Sequence, residues 1–544
     1  MTGGDHMPGY VTLPGSTRAL LPNSRPAGPV DRTEIDSLTI RVRSVGDIGD
    51  LEKRVYQESA KPLAERTYIR REDLAKTQGA SAADLDLIEQ YAQKHNLMVV
   101  HRSGAERSIV LKGTLGDLLN AFPADLNVYH HANGTYRGRR GEISIPRELE
   151  GIVTGVFGFD TRPKHRSPHR RKLLSRKGPG GANGVAATFF AQRYNFPTAF
   201  QGARLDGTGQ TIAIIELGGG FRSSDLQVFF NEIGVPMPTV TAISVDHAGN
   251  NPTTPDSADG EVMLDIEVAG VVAPQAKYAI YFAPNNGDKG FIDAISAAVN
   301  DTERHPDVIS ISWGGPESNT DQQGINAFHE VFVAAAAAGV TICVASGDHG
   351  TADLDAADWD NHIHVDHPAV DDLVLGCGGT QVNDQNQDVV WNDGTPFDAT
   401  VSGGGGWASG GGVSEVIALP SYQAKANIPV SIDNGQPGRG VPDIAMSATD
   451  YFTRVDSSEG ASGGTSAVAP LMSALVALLN QAKQKNVGFL NPFLYANAAN
   501  GVVHDVTQGT NAITNTVQGY NAGPGWDACT GLGTPDGTAI LNAL

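Results

Sequence analysis

Thr211–Gly220 reads TIAIIELGGG, an apolar run that meets a single carboxylate at Glu216 and stops in three glycines. A strand buried on both faces is written this way, because neither side of it alternates toward water. The same grammar recurs in AKYAIYFAPN (276–285), VISISWGG (308–315), VTICVASGD (340–348) and DLVLGCGG (372–379). Helical stretches lie between these runs, at Asp259–Val271, Gly290–Asn300 and Gly324–Ala338. The alternation predicts an α/β unit with a parallel sheet and helices on both faces. Such sheets bind ligands beyond the carboxyl ends of their strands, which directs attention to Glu216, Trp313 and Asp348.

Upstream, the text changes. Residues 1–30 carry Gly, Pro and Ser without a period and read as a disordered lead-in. Ser37–Val45, Leu97–His101, Ser108–Lys112 and Asp125–His130 read as strands. Ser81–His95, with a Ser cap, and Leu115–Phe122 read as helices. That β-α-β-β-α-β order predicts an α+β, ferredoxin-like sandwich over residues 31–160. Residues 161–184 (TRPKHRSPHRRKLLSRKGPGGANG) are basic and aperiodic, a solvated linker open to cutting, which leaves 185–544 as the α/β unit.

The charge divides along the same line. The chain carries 39 Lys+Arg and 60 Asp+Glu, a net of −21. Residues 1–180 hold 28 Lys+Arg and 21 Asp+Glu (net +7), and 181–544 hold 11 and 39 (net −28). Two units of opposite charge attract at neutral pH, and the acidic excess argues against nucleic acid as a partner. Three cysteines, Cys343, Cys377 and Cys529, cannot make a disulfide framework and read as buried thiols. No basic-then-apolar leader is visible in residues 1–18. The apolar stretches near 331–345 and 467–479 fall short of the ~18–20 residues a membrane span needs.

Three stretches carry chemistry. Gly463–Pro470 (GGTSAVAP) leads into an apolar helix, with small residues that leave the Ser466 hydroxyl open at a helix start, where an oxyanion is favoured. A Ser/Thr-capped core helix would read the same. On a helix over 259–271, Glu261 and Asp265 are i and i+4 neighbours, able to share a proton as base and orienter or to form a plain acidic face. Glu267 falls on another face and reads as structural or as a surface charge. Ala345–Gly350 (ASGDHG) places Asp348 at a strand end, where a protonated carboxyl can donate to an oxyanion and an ionised one cannot. The plain alternative is an Asp in a Gly-flanked turn.

Taken together, GTSAVAP, SGDHG and the Glu-x-x-x-Asp pair resemble the sedolisin (serine-carboxyl) peptidases, and IAIIELGGG, SISWGGPE, GRGVPDIA and AGPGWDACTGLG extend the resemblance toward kumamolisin-like members. It implies a subtilisin-like fold behind an inhibitory prodomain, with Ser466 as nucleophile, Glu261 as base, Asp265 as its orienter and Asp348 as oxyanion donor. Glu216 and Trp313 would extend the network, and Asp366 would stand near a substrate subsite. A structural Ca²⁺ would be held by the Asp505 and Asp527 side chains and the carbonyls of Val506, Gly523 and Gly525. The implied protein is a secreted, acid-acting endopeptidase made as a self-processing zymogen, with protein or peptide substrates and no nucleic-acid or membrane partner. Subtilisins share GTSxAxP but carry their base in a His-Gly-Thr helix start. Here His349–Thr351 follows Asp348 at a strand end and runs into ADLDAADWD, read as an acidic surface loop. A tripeptidyl-releasing or subtilisin-like peptidase, a catalytically silent relative, and a carboxylate-pair glycosidase are the competing readings.

Overall fold

The computed structural model describes residues 9–544 except 22, 132–133, 163–169, 174–183, 355, 357, 399–404 and 514–516. In chain order, the N-terminal unit runs β1 (Tyr10–Thr12), β2 (Arg25–Pro29), β3 (Ile35–Val42), α1 (Ile48–Ser59), α2 (Arg71–Gln78), α3 (Ala82–Lys94), β4 (Met98–Ser103), β5 (Ser108–Thr114), α4 (Leu115–Ala121), β6 (Ala124–His131), β7 (Gly134–Pro146) and β8 (Val153–Phe157). Side-chain oxygens of Asp47, Ser81 and Thr114 cap α1, α3 and α4 by accepting from backbone N–H groups of the first turn. One sheet has the order β4-β5-β3-β8 with every pair antiparallel, the ferredoxin-like arrangement. Leu38, Ile40, Ile109 and Leu111 from this sheet meet Leu85, Ile88, Leu115 and Leu118 from α3 and α4 in one core.

Two expectations change. The fourth strand of the sandwich is β8, whereas Asp125–His130 lies in β6, which pairs with the long β7 in a second sheet of order β1-β7-β6-β2. Alternation marks a half-buried strand but not its partner, and the hairpin return into β7 decides this one. Residues 10–12 and 25–29 form the two edges of that sheet, so residues 9–30 are not the unstructured lead-in expected. Short edge strands tolerate Pro26 and Pro29 and leave no readable period. Of the expected linker, 163–169 and 174–183 lie outside the described residues. Between them, β9 (Arg170–Leu173) forms a strand.

The C-terminal unit continues with α5 (Ala187–Arg193), β10 (Thr211–Glu216), α6 (Ser223–Ile233), β11 (Thr239–Ser244), α7 (Asp259–Val272), β12 (Lys277–Phe282), α8 (Asp288–Asn300), β13 (Val308–Ile311), α9 (Gln322–Ala337), β14 (Thr341–Ala345), β15 (Leu375–Val382), β16 (Asp388–Val390), β17 (Ile444–Ser447), β18 (Tyr451–Val455), β19 (Ser458–Gly463) and α10 (Val468–Lys483). The sheet runs β11-β12-β10-β13-β14-β15, all parallel, with β17 parallel and β16 antiparallel on β15. Successive β10 residues face opposite layers, Ile212 and Ile214 toward α6, α7 and α10, and Ala213 and Ile215 toward α8 and α9. With its leading turn, α10 is long and apolar enough to cross a membrane, but it is a core helix with 89% of its apolar window buried. The three cysteines are free and buried.

The two units meet through charge as well as packing. Arg18 Nη1 lies 3.2 Å from Asp288 at the start of α8, Arg139 Nη2 2.6 Å from Asp321 at the cap of α9, and Arg107 Nη2 2.6 Å from Glu330. Arg139 and Asp321 are 2% and 1% exposed, so removing one partner strands the other charge away from water. Asp321→Ala is expected to lower the stability of the uncut chain by about 3–5 kcal/mol at pH 7, read by urea unfolding. A loss under about 1 kcal/mol would mean that water reaches Arg139.

Candidate active site

The carboxyl ends of β10, β13 and β14 gather Glu216, Ser312–Trp313 and Ser346–Asp348 at one edge of the sheet, opposite the start of α10. The backbone before that helix is forced. Gly464 adopts φ 117°, and a Cβ on Gly463 would stand 2.3 Å from the Ala448 carbonyl oxygen, so neither position accepts a side chain. The following turn, Thr465–Ala467, presents Ser466 at the entrance of α10, against α7.

Helix α7 is buried on all sides, carboxylates included: Asp259, Glu261, Asp265 and Glu267 are each 0% exposed. Glu261 and Asp265, one turn apart, hydrogen-bond carboxyl to carboxyl. Burial first, then the charges of Glu261 and Glu216, hold Asp265 well above the ordinary carboxylate range. Ser312 Oγ donates to both Asp265 oxygens at 2.9 Å and lies 3.3 Å from the Ser466 carbonyl oxygen. Glu216, raised by burial and by Glu261, accepts from Trp313 Nε1 at 3.0 Å. Glu267 lies apart from this network and accepts from the Arg454 backbone N–H at 3.0 Å, a structural contact.

Asp348 is fixed from the other side. Its Oδ1 accepts from the Thr465 N–H at 2.7 Å and from Thr465 Oγ1 at 2.9 Å. Its Oδ2 and the Ser466 Oγ are both buried without a hydrogen-bond partner among the described residues. Burial pushes Asp348 well up, with Glu261 and Asp366 adding to it. With Oδ1 occupied as an acceptor, the proton that this shift retains belongs on Oδ2. Asp366, also buried and raised, lies against Gly314, where a Cβ would fall 2.2 Å from its Oδ1.

Sequence reading missed Ser312 and Thr465, which tie Asp265 and Asp348 to the Ser466 turn. Both adjoin residues the motifs had singled out, Trp313 and Ser466, and adjacency was the available signal. The acidic loop is less exposed than expected: Asp353 and Asp358 are buried, and Asp358 lies 3.4 Å from His131 of β6. Near the C-terminus, Gly525 N–H donates to Asp505 Oδ2 at 2.8 Å and Gly523 N–H to Asp527 Oδ2 at 3.2 Å. Asp527 Oδ1 accepts from the Cys529 and Thr530 N–H groups.

Glu216, Asp265 and Asp348 hold protons more tightly folded than unfolded. Their contribution to stability is therefore complete below the ordinary carboxyl range, near ~4, and is lost as pH rises through their raised values. A Ser466→Ala chain is expected to lose stability from pH 4.5 to 7.5, and adding Asp348→Asn, which cannot ionise, should make that slope shallower. Equal slopes in urea unfolding would place Asp348 outside the pH response.

The "Pro-kumamolisin, activation domain" family matches residues 22–162 and the "Subtilase family" matches 246–520. Kumamolisin of Bacillus sp. (strain MN-32) is 42% identical over 98% of this chain and 96% of its own. Tripeptidyl-peptidase sed5 of Aspergillus fumigatus is 26% identical over 98% and 97%. The solved Pseudomonas sedolisin, a serine-carboxyl proteinase complexed with two molecules of pseudo-iodotyrostatin, superposes with a TM-score of 0.56 at 27% identity, covering 67% of this chain and 98% of that one. A subtilisin-like parallel sheet behind an activation domain, at this identity along nearly the whole length, makes the chain a member of the sedolisin family of serine-carboxyl peptidases, in proenzyme form.

Proposed function

We propose that this chain is an acid-acting endopeptidase in which Ser466 is the nucleophile, Glu261 its base and Asp348 the oxyanion donor. The observation that carries the reading is the pairing of two buried, unpartnered atoms, Ser466 Oγ and Asp348 Oδ2, on either side of Thr465. Ser466 Oγ would attack the scissile carbonyl carbon while Glu261 takes its proton and returns it to the departing amine. The carbonyl oxygen, now an oxyanion, would receive hydrogen bonds from protonated Asp348 and the Ser466 N–H. Asp265 would hold Glu261 in orientation, itself fixed by Ser312. Glu216, oriented by Trp313, would keep a second proton beside Glu261, and Asp366 would face a subsite next to Gly314.

This cluster needs protons to work, so activity on casein should fall steeply between roughly pH 5 and 7. A flat profile through neutrality would sink the reading. Asp348→Ala should lose about 10²–10³ in kcat, while Asp348→Asn, which retains a donor, should lose less. Internal casein fragments are expected, and release of tripeptides alone would favour the activity named for the Aspergillus relative.

Residues 31–160 would be the inhibitory prodomain and 185–544 the peptidase, freed by a cut within 161–184. Support comes from β9, which pairs antiparallel on β19 with Arg170 opposite Gly463 and Leu173 opposite Gly460. Since β19 leads toward Ser466, β9 runs away from it, and the bond to be cut would precede Arg170. Acidification should therefore yield, by mass spectrometry, a mature chain whose first residue is at or before Arg170, and Ser466→Ala should stay uncut. A first cut beyond Leu173, or processing of the Ser466→Ala chain, would overturn this.

A structural Ca²⁺ would be held by Asp505, Asp527 and the carbonyls of Val506, Gly523 and Gly525. The donors are all hard oxygens, and a Cβ on Gly523 or Gly525 would meet nothing within 4 Å, which leaves the loop open. The cation would neutralise the two carboxylates and tie the loops together. Chelation should lower the melting temperature by several degrees, and Asp505→Ala/Asp527→Ala should remove the difference between chelated and calcium-loaded protein. A secreted location fits an acid-working peptidase.

A further inference from the structure

The β18–β19 hairpin runs into the turn that presents Ser466, and the outer edge of β19 carries β9. The hairpin turns at Asp456–Ser457, with φ 46° and 65°. Left-handed backbone at both positions matches the twist of a hairpin, but neither residue is glycine, so the turn depends on what its groups reach. Ser457 N–H donates to Asp225 Oδ2 of α6 at 3.0 Å. Asp456 Oδ1 accepts from Arg222 Nε, just before α6, at 2.7 Å. Helices α6 and α7 both pack against β18.

The other oxygen of Asp456 meets the first residue of α7, Asp259, which is 0% exposed. Asp259 Oδ2 accepts from the Thr253 N–H and, at 3.3 Å, from Thr253 Oγ1. That leaves Asp259 Oδ1 and Asp456 Oδ2, both buried and without a donor among the described residues. The two carboxyl groups hydrogen-bond to one another. Ionised carboxylates only accept, so this contact requires a proton on one of them. Burial first, and then the Asp456 charge against the pull of the Thr253 N–H, raises Asp259 above its ordinary range. Such a contact is complete in acid and is lost as pH rises and the second carboxyl ionises against the first.

The charged groups on the surrounding elements leave this contact to itself. Arg222 is taken up on Asp456 Oδ1. Arg454 of β18 lies 3.4 Å from Asp225 and 3.2 Å from Glu459. Helix α7 contributes Glu261 and Glu267, the latter on the Arg454 N–H, and the loop that Thr253 anchors contributes His247 and Asp256. None of them donates to the two facing oxygens. The shared proton thus joins the start of the helix that carries Glu261 to the turn of the hairpin that leads to Ser466.

We propose that Asp259 and Asp456 share one proton and act as positioning residues, a strut that seats the β18–β19 hairpin so that its edge takes the strand of substrate beyond the scissile bond. A substrate laid there as β9 lies would gain main-chain hydrogen bonds along the four residues that β9 spans. Ionising the strut would then weaken binding of extended substrates more than it slows the chemical step. The inference rests on the proposed roles of Ser466 and of the bond before Arg170.

Two measurements keep the strut and that reading apart. Hydrogen exchange on the full Ser466→Ala chain, corrected for intrinsic rates, needs no activity. Amides of residues 453–458 should exchange about tenfold faster at pH 7 than at pH 4.5, the equivalent of one pKa unit on one proton. Adding Asp456→Asn should hold that change below about twofold, because the amide donates to Asp259 at either pH while its oxygen still accepts from Arg222. Asp259→Asn, donating from the other side, is read the same way. In the acid-processed enzyme, KM for peptides with four residues beyond the scissile bond should rise about fivefold from pH 4.5 to 6.5, and Asp456→Asn should flatten the rise. KM for a peptide p-nitroanilide, which has no residue there, should not respond to Asp456→Asn. Equal exchange at both pH values in the parent, Asn variants that loosen as the parent does, or a KM rise shared by both substrates overturns the proposal. So does protection restored at pH 7 by millimolar Ca²⁺, because a cation would then be the bridge. Exchange as expected in a chain that cuts no peptide supports the strut and counts against the reading of Ser466.

Discussion

Everything at the proposed reaction centre depends on carboxyl groups being kept out of water beside one another. Asp265, Glu216 and Asp348 are raised by burial before any other cause, and the charge of Glu261 adds to each. In water such groups would simply ionise. Here each carboxyl group is held by a fixed donor: Ser312 on Asp265, Trp313 on Glu216 and Thr465 on Asp348. A helix with carboxylates on several faces, all buried, is tolerable only because the surrounding donors and shared protons offset the desolvation.

That constraint also explains the shape of the sequence around it. Helix α7 cannot be amphipathic, because each of its faces meets protein: α10, α6 and the β18–β19 hairpin surround it. The Gly-Gly step before Thr465 is equally dictated, by the Ala448 carbonyl that occupies the space a side chain would need. The charge split has a comparable origin. Arg18, Arg107 and Arg139 belong to the N-terminal unit and Asp288, Asp321 and Glu330 to the other, so the opposite net charges of the halves are spent in part on one another.

The parallel sheet was legible because strands buried on both faces leave long apolar runs, and Glu216, Trp313 and Asp348 announced themselves by interrupting or ending such runs. Glu261 and Asp265 were legible from helical spacing, and the combination with GTSAVAP made the family recognisable. The topology of the N-terminal unit was less so. Asp125–His130 reads as strand-forming text and Val153–Phe157 drew no such reading, yet the β6–β7 hairpin return takes the former into the second sheet and leaves the latter as the fourth strand. Strands of three and five residues at sheet edges carry too little pattern to be seen at all. Ser312 and Thr465 were invisible for a different reason: a hydroxyl that positions a neighbour through one hydrogen bond leaves no periodic trace.

The pairing of β9 with β19 has a kinetic meaning. A segment already seated as a strand beside Ser466 does not have to find the site by diffusion, because its local concentration is set by the chain that carries it. The cut proposed just before that segment, made by the Ser466 of the same molecule, would therefore be a first-order event whose half-time is indifferent to dilution. Cutting of one molecule by another slows in proportion as the protein is diluted. On the proposed reading, the fold would separate the birth of the enzyme, which dilution does not slow, from its later work, timed by how much substrate it meets.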